Sequence, residues 1–187
     1  MTDISRLFVA IALPEPVVAA LRSLGAVFPD VRIIPGGQAH LTLRFLGPTP
    51  ASMIPRIREA LASVGGEMFG LAFGGLGTFR TGAGMVLWAG LSGNPGLGRL
   101  RDGLETALLE GLGLARDKRA FTPHVTLARM RTFRPWIAQK AEAYADEVGQ
   151  PFTVSAFGLY ESELRPSGAV HALVSEYPLA DPGKNGP

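Results

Sequence analysis

Residues 40–47 read HLTLRFLG and residues 121–129 read FTPHVTLAR, so two of the three histidines in a chain of 187 residues open the same pattern, His-apolar-Thr-Leu. In both stretches polar and apolar residues alternate, the period of a half-buried β-strand. Residues i and i+2 of a strand share a face. His40 therefore points with Thr42 and His124 with Thr126, while Leu41, Leu43, Val125 and Leu127 turn to an apolar layer behind. One copy of the motif in each half of the chain predicts two related lobes whose motif strands line a common groove with two imidazoles and two hydroxyls.

The segments around the motifs fill out an α+β order. RLFVAIAL (6–13) is a buried apolar strand that stops at Pro14. Val17, Val18, Leu21, Leu24 and Phe28 then recur at helical spacing, after a first turn that tolerates Pro16 and before a stop at Pro29. VRIIPGG reads as a short strand and turn, and Gly47-Pro48 as the end of the first motif strand. A helix is predicted over 53–64. A hairpin follows, with strands at 68–79 and 85–91 joined through Thr81-Gly82-Ala83-Gly84. A helix then runs from Asn94-Pro95 to about Leu112, with Leu97, Leu100, Leu104 and Leu108 in one stripe. After the second motif strand (121–130) come a helix from Pro135 to about Val148 and two strands at 152–161 and 169–176. These elements predict one bilobal catalytic domain over residues 1–180, each lobe an antiparallel sheet with outer helices around a central groove, and a frayed tail at 181–187.

Composition narrows the chemistry. Apolar residues make up 47% of the chain, enough for a full core and too many for a disordered one. There is no cysteine, which removes disulfides, thiolate nucleophiles and Cys-ligated zinc, and accords with a reducing cytoplasmic setting. The apolar run near the N-terminus is broken by Pro14, Glu15 and Pro16, too early to cross a bilayer, so no membrane association and no targeting segment are expected. Six basic residues, Arg116, Lys118, Arg119, Arg129, Arg131 and Arg134, flank the second motif against the single acid Asp117. Such a run is either a solvated face or an attractor for a polyanion such as RNA.

Paired imidazoles suit phosphodiester hydrolysis. The reaction needs a base to take a proton from the attacking water and an acid to give one to the leaving oxygen, and imidazole, with an ordinary pKa of about 6.5, does either near neutrality. Threonine hydroxyls can donate to the non-bridging phosphate oxygens, where charge is held in the transition state. A zinc site is disfavoured, because only His171 remains to join the two motif histidines, and no serine sits in a nucleophile-elbow context. No metal or other cofactor is expected.

In these residues the chain resembles the RNA 2′,3′-cyclic phosphodiesterases, also called RNA 2′-5′ ligases, of the two-histidine phosphoesterase superfamily. The likeness runs from RLFVAIALP (6–14) through HLTLRFLG, VLWAG (86–90) and FTPHVTLAR to the closing FGLYES and YPL segments. It implies that His40 and His124 are catalytic, that Thr42 and Thr126 bind the phosphate, and that Arg129 also serves the substrate. Strand alternation from His124 places Arg129 on the opposite face, so its reach into the groove requires a bend or bulge. The resemblance further implies hydrolysis of an RNA or nucleoside 2′,3′-cyclic phosphate to a 2′-phosphate, with His40 protonating the leaving 3′-oxygen and His124 activating water. Reversal with a 5′-hydroxyl would give a 2′-5′ linkage. The expected partners are RNA ends or nucleotides bearing a 2′,3′-cyclic phosphate, met by a monomer. A non-catalytic nucleotide or RNA-end binding module, and a phosphodiesterase for another small cyclic or 2′-5′ linked nucleotide, stay open as alternatives. Phe45 and Phe121 are candidates to stack on a base. His171 stands where many relatives carry Tyr or another bulky residue, lacks the His-x-Thr pattern, and is read as a partly buried strand residue.

Overall fold

The computed structural model describes residues 3–28, 31–35, 38–82, 84–132, 135–144, 148–165 and 168–183. The expected helix stop at Pro29, the turn glycines Gly36 and Gly37, Ala83, Arg134 and the last four residues of the tail lie outside them. The elements follow in the order β1 (Ile4–Ala12), α1 (Glu15–Ala26), β2 (Arg32–Ile33), β3 (His40–Pro50), a 3-10 turn (Ala51–Met53) and α2 (Ile54–Ala62). They continue with β4 (Phe69–Leu71), β5 (Phe73–Thr81), β6 (Gly84–Leu91), α3 (Pro95–Leu112), β7 (His124–Met130), α4 (Pro135–Ala143), β8 (Phe152–Val154), β9 (Ala156–Arg165) and β10 (Gly168–Pro178).

The architecture is α+β. Its main feature is an eight-stranded sheet in the order β10-β9-β1-β3-β7-β6-β5, with β2 on the free edge of β7 and antiparallel pairing throughout. The two lobes do not keep separate sheets. They meet edge to edge through β3 and β7, whose described register is the single pair Leu41↔Val125. The seam therefore falls on the second residue of each motif, and both of its side chains are fully buried. One strand overlaps the other only at its start, so the halves join as one surface while each keeps its own flank.

Two runs expected as single strands are each cut by one residue. Ala72 separates β4 from β5, and Ser155 separates β8 from β9, because β4 and β8 leave the large sheet to pair with each other. Both break residues keep their carbonyls engaged, Ala72 by the amide of Ser92 and Ser155 by that of Leu179. β3 also runs past Gly47-Pro48 to Pro50. Leu46 is an extra residue between the pairs Leu7↔Gly47 and Phe8↔Phe45, and Gly47 takes a left-handed φ of 75° there, so the glycine makes a bulge instead of an end.

Helices cover one face of the sheet. Apolar stripes from α1 (Val17, Leu21, Leu24), α2 (Ile57, Leu61), α3 (Leu97, Leu100, Leu104, Leu108) and α4 (Ile137, Ala141) form one core with the sheet residues Leu7, Val9, Ile11, Leu41, Leu43, Leu87, Ala89, Val125 and Leu159. The α3 termini follow the sequence signals: the Asn94 side chain caps the amides of Gly96 and Leu97, and Gly113 closes the helix at a φ of 71°. The opposite face carries the histidines.

Candidate active site

Antiparallel pairing at Leu41↔Val125 fixes how the motifs meet. Continued one residue each way, that register sets His40 across from Thr126 and Thr42 across from His124, all four on the face away from the helices. The two imidazoles are anchored alike. His40 Nδ1 lies 2.7 Å from the Gln38 carbonyl oxygen, and His124 Nδ1 lies 2.7 Å from that of Thr122. A carbonyl only accepts, so each Nδ1 carries the hydrogen and each Nε2 is left for the groove.

A β-bulge recurs at the fourth residue of both motifs. On β3, Val9 pairs with Arg44 and Ala10 with Thr42, leaving Leu43 as the extra residue; on β7, Leu87 pairs with Ala128 and Trp88 with Thr126, leaving Leu127. Each bulge inverts the alternation beyond it. Leu43 and Leu127 stay in the core, and the next residues, Arg44 and Ala128, also turn to the helical side. The fifth residue after each histidine then returns to the groove. These residues are Phe45, paired with Phe8, and Arg129, paired with Val86. Arg129 is exposed, and its charge reaches both His40 and His171.

Aromatic walls flank the two imidazoles. Phe8 lies 4.8 Å from the His40 ring and 5.4 Å from Tyr160, on which it stacks. Phe45 stands beside Phe8, 59% exposed. On the other lobe Phe79 meets the His124 ring edge-on at 5.1 Å, and Trp88 lies 6.1 Å away. The indole of Trp88 rests over Gly77, where any Cβ would overlap it. Sequence reasoning passed over Phe79 and treated Trp88 only as part of a matching word. The available signal was their strand parity, since Gly77↔Trp88 and Phe79↔Val86 are paired positions on the histidine face.

Burial holds the His40 pKa down to about 4, against the opposing pull of the Gln38 carbonyl; the charges of His171, Arg129 and His124 lower it further. All these charges are positive. The floor of the groove is therefore arranged for an anion, and among the described residues no three His, Asp or Glu side chains converge as metal ligands.

Arg116 and Arg119 of the basic stretch beside the second motif, and the nearby Arg44 and Arg101, are engaged outside the groove. Arg44 donates to the Ala115 carbonyl at 2.6 Å and lies 3.4 Å from Glu105 and 3.6 Å from Asp117. Arg119 grips Asp117 through two side-chain bonds, and Arg116 donates to Thr106. Arg101 pairs with Glu105 and covers the face of Phe121 at 4.5 Å. Phe121 is thus packed into the loop leading to His124, whereas Phe45 presents an open face.

The sequence pattern of the 2′-5′ RNA ligase superfamily matches residues 12–165, a span that holds both motifs, both bulges and Arg129. The chain belongs to the 2′-5′ RNA ligase superfamily. Among superfamily relatives, the RNA 2′,3′-cyclic phosphodiesterase of Aeropyrum pernix is 36% identical over 150 residues, covering 78% of this chain and 84% of that protein. The protein of the same name from Thermus thermophilus is 31% identical over 185 residues, covering 93% and 90%. Among solved structures, TT0787 of Thermus thermophilus superposes with a TM-score of 0.76 at 28% identity over 95% of this chain and 99% of that one. Apo LigT of E. coli shares the superfamily fold with a TM-score of 0.80 at 24% identity, over 96% and 100%.

Proposed function

We propose that this protein hydrolyses the 2′,3′-cyclic phosphate of an RNA end or nucleoside to a 2′-phosphate, as the names of its relatives suggest, with His40 and His124 as acid and base. The observation that carries the reading is the matched anchoring of the two rings. Each Nδ1 is spent on a carbonyl two residues upstream, so each Nε2 is presented to one groove, and the charges that act on His40 there are positive. A phosphodiester monoanion supplies the missing negative charge. Water attacks phosphorus and gives its proton to one Nε2, the P–O3′ bond breaks, and the leaving 3′-oxygen takes a proton from the other Nε2. Thr42, Thr126 and Arg129 hold the non-bridging oxygens, where charge is stabilised in the transition state. The same course with a 5′-hydroxyl in place of water breaks the same P–O3′ bond and leaves a 2′-5′ linkage.

The low pKa of His40 bears on the division of labour. In the ligand-free protein near pH 7 this ring is neutral, the form required of a base. The acid role implied by the family likeness requires the substrate anion to bring a proton onto His40 as it binds. No metal takes part in this scheme. We read the chain as one catalytic domain over residues 1–180 with a short tail, acting as a cytoplasmic monomer on RNA ends or nucleotides. Among the described residues no helix is long and apolar enough to cross a membrane.

The test is turnover of a nucleoside 2′,3′-cyclic phosphate by purified protein, with the product isomer identified. The 2′-phosphate is expected, and His40→Ala and His124→Ala should each lose at least about 100-fold in kcat while keeping the wild-type circular dichroism spectrum. Near-wild-type turnover in either folded variant, or no turnover by the wild type, refutes the assignment.

A further inference from the structure

His171 sits on β10 opposite Ser162 of β9, three strands from β3 in the sheet. Strands spaced about 4.8 Å apart in a flat sheet would keep it roughly 14 Å from β3. Its ring nevertheless lies 5.1 Å from the His40 ring and 4.9 Å from Phe8. The sheet curls, and β10 overhangs the first motif. His40 is held between Phe8 on one side and the edge of His171, at an interplanar angle of 89°, on another. Packing alone does not call for an imidazole here, since a phenyl ring would cover Phe8 as well. The Nδ1 of His171 is buried and meets no hydrogen-bond partner among the described residues. An unmet polar atom of this kind is destabilising, so the position carries a nitrogen at the expense of stability.

We propose that His171 is a third working imidazole of the groove, positioning His40 and, once a phosphate is bound, competing with it for a proton. This deepens the phosphodiesterase reading and rests on it. The groups that face His171 are His40 from β3, Arg129 from β7, the uncharged Phe8 from β1 and Ser162 from β9. Tyr160 of β9 stands beyond Phe8, and the Glu176 charge is felt there. The charges acting directly on the two rings are positive, and burial together with Arg129 disfavours the imidazolium form of His171. A bound phosphate reverses that balance for both rings at once. Two imidazoles in contact beside one anion titrate as a pair.

The sign of the effect does not depend on which step His40 serves. A protonated His171 opposes a proton on His40, so removing the ionisable ring raises the pKa of His40 and carries the limb it governs to higher pH. His171→Phe keeps the aromatic packing, and His171→Gln keeps a polar side chain; neither can take the proton. The experiment measures kcat at saturating nucleoside 2′,3′-cyclic phosphate, where the pH profile reports the substrate-bound enzyme, from about pH 4 to 9 for the wild type and both variants. One limb should move up by at least about half a pH unit in both variants while the other stays. Unmoved limbs in His171→Phe would reduce His171 to packing and overturn the proposal. A second measurement needs no turnover: NMR titration of the His40 ring in wild type and His171→Phe, with inorganic phosphate as the probe. A higher His40 pKa in the phosphate-bound variant supports the coupling even if the substrate assignment fails, and coincident curves overturn it.

Discussion

Acidification should cost the fold about 3 kcal/mol through His40 alone. The unfolded chain offers this histidine a pKa of about 6.5, whereas the folded protein holds it down to about 4, chiefly by burial. Between those values the unfolded chain binds a proton that the native ring refuses, so unfolding is favoured as pH falls. The stability is fully present above about pH 6.5, declines through the window, and is fully lost near pH 4, where the folded ring also takes a proton. A displacement of that size corresponds to about 3 kcal/mol, a large part of the 5–15 kcal/mol by which domains are usually stable. The comparison variant is His40→Asn, whose amide N–H can replace Nδ1–H as donor to the Gln38 carbonyl but cannot titrate. Urea unfolding of both proteins at intervals from pH 7 to 4.5 isolates the contribution: the wild-type free energy should fall by about 2–3 kcal/mol more than that of the variant. Added inorganic phosphate should shrink the difference, because an anion in the groove stabilises the imidazolium. Parallel curves for the two proteins across this range would show that the ring ionises freely in the folded state, and the account of the groove as a buried cationic site would fail.

Arg129→Ala should lower kcat/KM more than Thr42→Val or Thr126→Val, because a charged contact to phosphate exceeds a hydroxyl contact, and wild-type kinetics for Arg129→Ala would place that side chain outside the reaction. Phe45→Ala should raise KM by about tenfold with little change in kcat, the scale of one lost base–aromatic stack of 1–3 kcal/mol; an unchanged KM would leave Phe45 without a ligand role. Exhaustive treatment with EDTA should leave turnover intact, and activity lost to the chelator and restored by one divalent ion would refute the metal-free scheme. Glu105→Ala should lower the unfolding free energy by about 3 kcal/mol, because it strips Arg44 and Arg101 of their shared buried partner; a loss below about 1 kcal/mol in urea unfolding would show that these cations are adequately solvated without it.

Period and punctuation made the fold legible where local preference and tertiary demand agree. Helix α3 was readable at both ends because Asn94, Pro95 and Gly113 each act within a few residues of the chain. The breaks at Ala72 and Ser155 were not, since β4 and β8 choose each other across a long stretch of chain, Phe69 against Val154 to Leu71 against Phe152, and nothing within either run announces the switch. The joining of the lobes into one sheet was hidden for the same reason: it depends on one non-local pair, and the apolar Leu41 and Val125 look alike whether they face a helix layer or a neighbouring edge. In the groove, pattern revealed what repeats and missed what does not. His40, Thr42, His124 and Thr126 announce themselves by duplication. His171 reaches His40 only because the sheet curls, and curvature has no signature in residues 168–178.

The twin bulges explain how a duplicated motif can make an asymmetric site. If β3 and β7 were regular strands, the positions after His-x-Thr would alternate away, and both Phe45 and Arg129 would point to the helical side, out of reach of the histidines. An extra residue at Leu43 and at Leu127 exchanges the next two positions. The fourth residue after each histidine goes to the core side: Arg44 pairs with Glu105 and ties β3 to the loop before His124, and Ala128 packs fully buried against Leu87. The fifth goes to the groove, where one lobe offers an exposed phenyl ring and the other a cation. A phosphate between two equivalent imidazoles is thereby given a direction. In the proposed scheme charge draws it toward Arg129, and the exposed ring of Phe45 offers its attached nucleoside an open aromatic face on the other lobe. The same symmetry operation that repeats the acid–base pair would, taken alone, let the substrate bind in either sense. The residues that break the symmetry occupy equivalent places in the two strands, so a single pair of substitutions, Phe45→Arg with Arg129→Phe, should exchange the polarity of the groove while both histidines stay in place.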